Sequence, residues 1–149
     1  MRVKAITEYR TRILVVEDNE VNQLVSKAML ERLNFEVTMV NNGLEAINAY
    51  SPQQFDLILM DCNMPVMDGF EATRRIRSLE QLTNAMPTPI VALTAHAFDH
   101  VRQECFDAGM NEPCLSGCLP MIAHGGVSGL KVVCGRISAS RTSAIRTLV

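Results

Sequence analysis

Three short apolar runs limit what this chain can fold into. Ile13-Leu14-Val15-Val16, Leu57-Ile58-Leu59-Met60 (after Phe55-Asp56) and Ile90-Val91-Ala92-Leu93 lack the in-out alternation of a half-buried strand. Continuous runs of this length read as strands covered on both faces. Each stops at a polar residue: Glu17 and Asp18 after the first, Asp61 after the second, Thr94 at the end of the third. A less regular strand segment, Phe35 to Val40, lies between the first two.

The intervening segments have helical spacing. Val21, Leu24, Val25 and Ala28 form a stripe that Met29 and Leu33 extend, and Asn34 tolerates the left-handed conformation of a helix end. A short helix is expected from Leu44 to Tyr50, closed by Pro52. Another is expected over Phe70–Leu79 with a basic outer face. Phe98, Val101, Cys105 and Phe106 mark a last one, with Gly109 at its cap. Strands alternating with helices imply an α/β fold, a doubly wound parallel sheet with helices on both faces. Such sheets bind ligands beyond the carboxyl ends of their strands, at the switch point of strand order. Glu17, Asp18, Asp61 and Thr94 all belong there.

Composition divides the 149 residues in two. Residues 1–112 hold all 16 acids and ten of the 14 bases, a net −6. Residues 113–149 hold no acid and four bases (Lys131, Arg136, Arg141, Arg146), a net +4 that brings the whole to −2. The second part also has five of the eight Gly and no Phe or Tyr. The chain accordingly reads as an N-terminal linker over 1–11, a core over 12–112 and an atypical C-terminal segment over 113–149.

Several classes are excluded. No run of 18 apolar residues spans a membrane, and residues 1–12 show no leader-like apolar stretch, so the cytoplasm is the default expectation. The acidic core does not suit nucleic acid, and four dispersed charges in the tail read as a solvated face. Cys62, Cys105, Cys114, Cys118 and Cys134 have no disulfide-framework spacing and read as reduced thiols. Cys114, Cys118 and His124 lack a fourth zinc ligand. No G-x-G-x-x-G follows the first strand, which removes a dinucleotide site. His100 and His124 read as structural.

Singly, each acid reads as a polar residue closing a strand. Three acids at the ends of two adjacent strands, with a threonine at a third, read as a site. Crowded carboxylates repel one another and call for a hard cation; Mg²⁺ takes one or two carboxylates and completes its shell with water and phosphate oxygens. A carboxylate beside such an ion can also act as a nucleophile toward phosphorus, while a hydroxyl holds a phosphoryl oxygen.

These segments resemble the receiver domains of two-component response regulators, over about Arg12 to Glu112. Ile13-Leu14-Val15-Val16-Glu17-Asp18-Asn19 is similar to the family's first strand and acidic pair. Leu59-Met60-Asp61-Cys62-Asn63-Met64-Pro65-Val66-Met67-Asp68-Gly69-Phe70 is similar to its phosphorylation loop, and Ile90-Val91-Ala92-Leu93-Thr94-Ala95-His96-Ala97 to its fourth strand. The wording is nearest to receivers of hybrid sensor histidine kinases. The resemblance implies a flavodoxin-like (CheY-like) fold. It makes Asp61 the phosphoacceptor, with Mg²⁺ on Asp18, Asp61 and the backbone carbonyl of Asn63, and Glu17 reaching the ion through water. Thr94 becomes the switch residue, Ala95 the small neighbour that admits the donor, and Pro65 and Gly69 the shapers of the loop. The Asn63 and His96 side chains would tune hydrolysis, although His96 reads equally as a surface residue.

The match stops after Gly109-Met110-Asn111-Glu112. Gly117 stands where the family has a lysine, no aromatic precedes it and no proline follows directly, so the fifth strand and last helix lack a counterpart. Two accounts stand: a change of reading frame or splicing near residue 112, or a rebuilt last strand in which Lys131 approaches the site. The expected function is a phosphoacceptor module that takes a phosphoryl group from a histidine kinase or histidine phosphotransfer domain, alone or within a larger hybrid kinase. It would not be a conventional enzyme, catalysing only its own phosphorylation and dephosphorylation. The alternative is a pseudo-receiver that binds partners with impaired phosphorylation. A phosphatase of the haloacid dehalogenase type would need an Asp where Asn63 stands.

Overall fold

The computed structural model describes residues 10–94 and 99–115, with Thr94 and residues 112–115 described by backbone alone. The elements are β1 (Arg12–Val16), α1 (Glu20–Arg32), β2 (Glu36–Val40), α2 (Gly43–Ala49), β3 (Leu57–Asp61), α3 (Gly69–Leu82), β4 (Ile90–Thr94), α4 (Asp99–Ala108) and β5 (Glu112–Leu115). The strands form one sheet in the order β2-β1-β3-β4-β5, every pairing parallel. The chain moves outward from β1 to β2, then returns past β1 to β3. The switch of direction therefore lies between β1 and β3, whose ends carry the acids.

The apolar runs are continuous because both sheet faces are filled. Leu14, Val16, Ile58, Met60 and Ala92 face one layer, packed with Ala46 of α2 and Tyr50 at its end, Ala72 and Ile76 of α3, and Cys105 of α4. Their alternates Ile13, Val15, Leu57, Leu59, Val91 and Leu93 form the second layer with Leu30 of α1 and Phe35. Asn34 (φ 64°) ends α1 and Gly109 (φ 101°) follows α4, as their sequence positions suggested.

Two expectations are revised. The Val21–Leu24–Val25 stripe is not the buried face of α1: these side chains are 66, 70 and 46% exposed. The helix turns Ser26 and Leu30 inward, so apolar spacing located the helix but not its orientation. Second, a fifth strand exists where the motif match gave none. Glu112–Leu115 pairs with Val91–Thr94, and Pro113 is tolerable there because the only strand described beside it is β4.

A polar clamp prepares β5. Arg77 Nε donates to Gly109 O at 2.9 Å, and its Nη2 donates to Asn111 Oδ1 at 3.0 Å. Arg77 Nη1 donates to Thr88 O and to Glu80 Oε2, both at 2.8 Å. Glu80, only 2% exposed, accepts from Tyr50 Oη at 2.9 Å and Thr88 N at 2.7 Å. Asn111 exchanges backbone and side-chain bonds with Ile90, which starts β5 beside β4. A buried charge is tolerated when its oxygens are matched with donors in this way.

Candidate functional site

The acids are delivered by strand ends and fixed by the turns that follow. After β1, the Glu17 N–H donates to Val40 O of β2 at 3.1 Å. Asn19 N donates back to Glu17 Oε1 at 3.1 Å, while the Asn19 side chain caps α1 by accepting from Val21 N and Asn22 N. Glu17 is thus buried (8% exposed), and Asp18 is left at the surface. β3 ends on half-buried Asp61, which pairs with Leu93, so Thr94 begins where Asp61 ends.

The loop from Cys62 to Asp68 is drawn tightly back under Asp61. Gly69 N donates to Cys62 O at 3.2 Å, and any Cβ at Gly69 would collide with the Asp61 carbonyl. Only glycine permits that approach. Met67 N donates to Pro65 O at 2.9 Å across Val66, whose φ is +72°. This is the strained sense of a γ-turn, and it sets a β-branched, 79% exposed side chain at the loop tip. Asp68 caps α3 by accepting from Glu71 N at 2.8 Å.

One oxygen each of Glu17, Asp18 and Asp61 lie within 4.8 Å of one another. None of the ion pairs among the described residues reaches these three acids. Burial pushes the Asp61 carboxyl up to about 7; the Asn63 N–H, donating to Asp61 Oδ1 at 3.2 Å, opposes this, and the Glu17 and Asp18 charges reinforce it. Burial likewise raises Glu17, partly offset by the Asn19 N–H. An all-oxygen, uncompensated set is what a hard divalent cation needs, and the residues fit Mg²⁺ on that ground.

Behind Asp61, the Cys62 thiol lies 4.0 Å from that of Cys105 on α4. Both are buried free thiols, raised by desolvation. Of the residues named from sequence, the geometry brings together Glu17, Asp18 and Asp61 and sets the Thr94 backbone beside them. The Thr94 side chain, Ala95, His96, Gly117, Lys131, His124 and the Cys114, Cys118 and Cys134 thiols lie outside the described residues. Sequence reasoning missed Gln23, Asn41 and Glu45, which are linked in series beside Glu17 and carry no motif spacing.

A doubly wound sheet with an acidic cleft at its switch point is the architecture of a receiver. A family model for the response regulator receiver domain matches residues 13–115, and the chain belongs to that family. It is 41% identical over 130 residues to "Probable histidine kinase 1" of Oryza sativa subsp. indica, covering 68% of this chain but only 13% of that protein. The chain thus spans a small fraction of that relative. The receiver domain of a Pseudomonas aeruginosa sensor histidine kinase, crystallised with magnesium coordinated in its active site cleft, is 41% identical with a TM-score of 0.65; the match covers 80% of this chain and 99% of that one. A Saccharomyces cerevisiae response regulator receiver, solved with its histidine phosphotransfer protein, is 30% identical with a TM-score of 0.68, over 71% and 78% of the two chains. No helix among the described residues is long and apolar enough to cross a membrane.

Proposed function

We propose that this receiver accepts a phosphoryl group on Asp61 from a phosphohistidine of a histidine kinase or phosphotransfer domain. The supporting observation is the convergence of Glu17, Asp18 and Asp61 oxygens within 4.8 Å, with no cation paired to them among the described residues. Asp18, Asp61 and the Asn63 carbonyl would hold Mg²⁺, with Glu17 orienting a bound water. When bound, the ion neutralises negative charge on the cluster and on the transferring group. Asp61 supplies the attacking oxygen: its bond to phosphorus forms as the donor nitrogen–phosphorus bond breaks. The Asn63 N–H keeps the Asp61 carboxylate aimed. The Thr94 hydroxyl is assigned a phosphoryl oxygen, and its movement on phosphorylation would couple the site to the surface.

A second reading, a pseudo-receiver that binds partners with impaired phosphorylation, rests on a specific feature. The one lysine among the described residues, Lys27, sits on α1 beside Glu31 at 4.0 Å, and Gly117 occupies the family's lysine position. Loss of one such stabilising group costs on the order of 3 kcal/mol of barrier. Incubation with acetyl phosphate and MgCl₂, followed by intact mass, separates the readings, with Asp61→Asn as control. Slow gain of one phosphoryl group that Asp61→Asn abolishes is the expected result. No gain at all leaves the pseudo-receiver. Fast gain unaffected by Lys131→Ala removes the argument for impairment.

A further inference from the structure

Beside the acids lies a relay of side chains that the proposed chemistry does not use. Gln23, in the second turn of α1, points its Nε2 at two acceptors: the main-chain carbonyl of Glu17 at 2.5 Å and Asn41 Oδ1 at 2.8 Å. Asn41 donates onward to Glu45 Oε2 twice, from its backbone N at 2.8 Å and its Nδ2 at 2.9 Å. Glu45 belongs to α2, whose cap Asn42 accepts from Glu45 N at 2.9 Å. The carboxylate at the far end only accepts, which fixes the direction of every bond in the chain: Gln23 gives to Asn41, and Asn41 gives to Glu45. The relay therefore joins the turn holding Glu17 and Asp18 to the corner between β2 and α2. That corner is tied in turn to the loop after Asp61, because Gly43 N donates to Met67 O at 3.1 Å.

We infer that Gln23, braced by Asn41, is a positioning residue for the cation cleft. The reasoning is electrostatic and mechanical. Three carboxylates within 4.8 Å repel one another, and Asp18 rides on an exposed turn that repulsion would open. Of the other fastenings on Glu17, the Asn19 N–H acts within its own turn, and the Val40 carbonyl holds only its backbone N–H to β2. Gln23 holds the Glu17 carbonyl from α1 and, through Asn41, links it on to Glu45 of α2. Its two N–H groups both find carbonyl-type oxygens, so rotating the side chain away would leave the Glu17 carbonyl and Asn41 short of a donor. The cleft is thus held near its cation-binding shape before the cation arrives, and the cost of gathering the acids is met at folding.

This inference rests on the reading of the cleft as a Mg²⁺ site, and one experiment distinguishes the two failures. Amide chemical-shift titration of the full chain with MgCl₂ alone gives the dissociation constant for wild type, Gln23→Ala, Gln23→Met, Asn41→Ala and the Gln23→Ala/Asn41→Ala pair. Melting in EDTA is measured for each. Outer-shell partners of metal ligands are worth about 10- to 100-fold in affinity, so Gln23→Ala and Gln23→Met should each weaken Mg²⁺ binding about tenfold. Met keeps the length and removes the donors. Asn41→Ala should weaken it less, and the pair no more than Gln23→Ala alone, because Asn41 acts through Gln23. EDTA melting should change little, which a purely structural role would not produce. Wild-type affinity in Gln23→Met, or full additivity in the pair, overturns the positioning role. Absence of saturable Mg²⁺ binding by wild type overturns the cleft reading and the inference with it. Should the Gln23 variants melt early, Asn41→Ala at its exposed position decides: unchanged affinity overturns the inference.

Discussion

Burial in the cleft makes the surrounding structure resist the charge of Asp61. Its ordinary value is 3.8 and burial carries it to about 7. A carboxyl raised on folding makes the native state bind more protons between those two values, so its stabilising contribution is complete below the lower one and is lost as pH rises through the upper one. Glu17 shifts in the same direction. The Mg²⁺-free chain should therefore melt at a lower temperature near about pH 8 than near about pH 5.5; scanning calorimetry in EDTA checks this, and a flat or rising trend would contradict the crowding of unpaired acids. The loop beyond Asp61 contains a second residue-scale contrast. Gly69→Ala drives a Cβ into the Asp61 carbonyl and should cost several kcal/mol, about 3 or more by comparison with other forced backbone shifts. Val66→Gly relieves a left-handed β-branched residue and should gain about 0.5–1 kcal/mol, the strain removed less the added chain entropy. Urea denaturation of both variants tests the pair; a loss at Val66→Gly would show the γ-turn to be unstrained.

Among the elements, α1 shows what apolar spacing conveys and what it omits. A stripe at Val21, Leu24, Val25 and Ala28 announces a helix, yet the helix buries Ser26 and Leu30. The two sets interleave on one cylinder, and which one faces the sheet is decided by packing with Ile13 and Leu57, far away in sequence. Leu30→Ala should accordingly cost about 2–5 kcal/mol, and Leu24→Ser should stay within about 0.5 kcal/mol; equal losses would mean the helix faces the other way. The central strands, by contrast, were legible from composition alone, because burial on both faces leaves no polar residue in the run. The acids of the site were legible for a related reason: nothing but function or a strand end places a charge directly after four fully buried residues. The Arg77–Glu80–Tyr50 clamp and the Gln23 relay were not. Their members are ordinary polar residues joined across elements to partners 11 to 34 positions away, and the local pairs Arg77–Glu80 and Asn41–Glu45 do not by themselves mark them. β5 was hidden by the same limit, since Glu112-Pro113-Cys114-Leu115 is a poor strand sequence that forms because Asn111 is tied to Ile90 and Arg77.

For the molecule as a whole, cation binding and folding are one equilibrium. A ligand bound only by the native chain stabilises it by about 2.7 kcal/mol when present at a hundred times its dissociation constant. Saturating Mg²⁺ should therefore raise the melting temperature by several degrees, about 4 °C or more, and Asp18→Asn should remove most of that increment while leaving the EDTA value unchanged or higher. An equal increment in Asp18→Asn would place the ion elsewhere.

The thiols behind the cleft offer a different kind of readout. Cys62 and Cys105 sit 4.0 Å apart, 1% and 0% exposed, on the seam between the end of β3 and α4. Protonated and walled off, they are inert toward an alkylating reagent until that seam parts. With Cys114, Cys118 and Cys134 replaced by serine, the labelling rate of the remaining two becomes a stopwatch for how often α4 lifts from the sheet. Any signal that loosens this side of the domain would be timed by covalent chemistry at a spot no donor or cation touches.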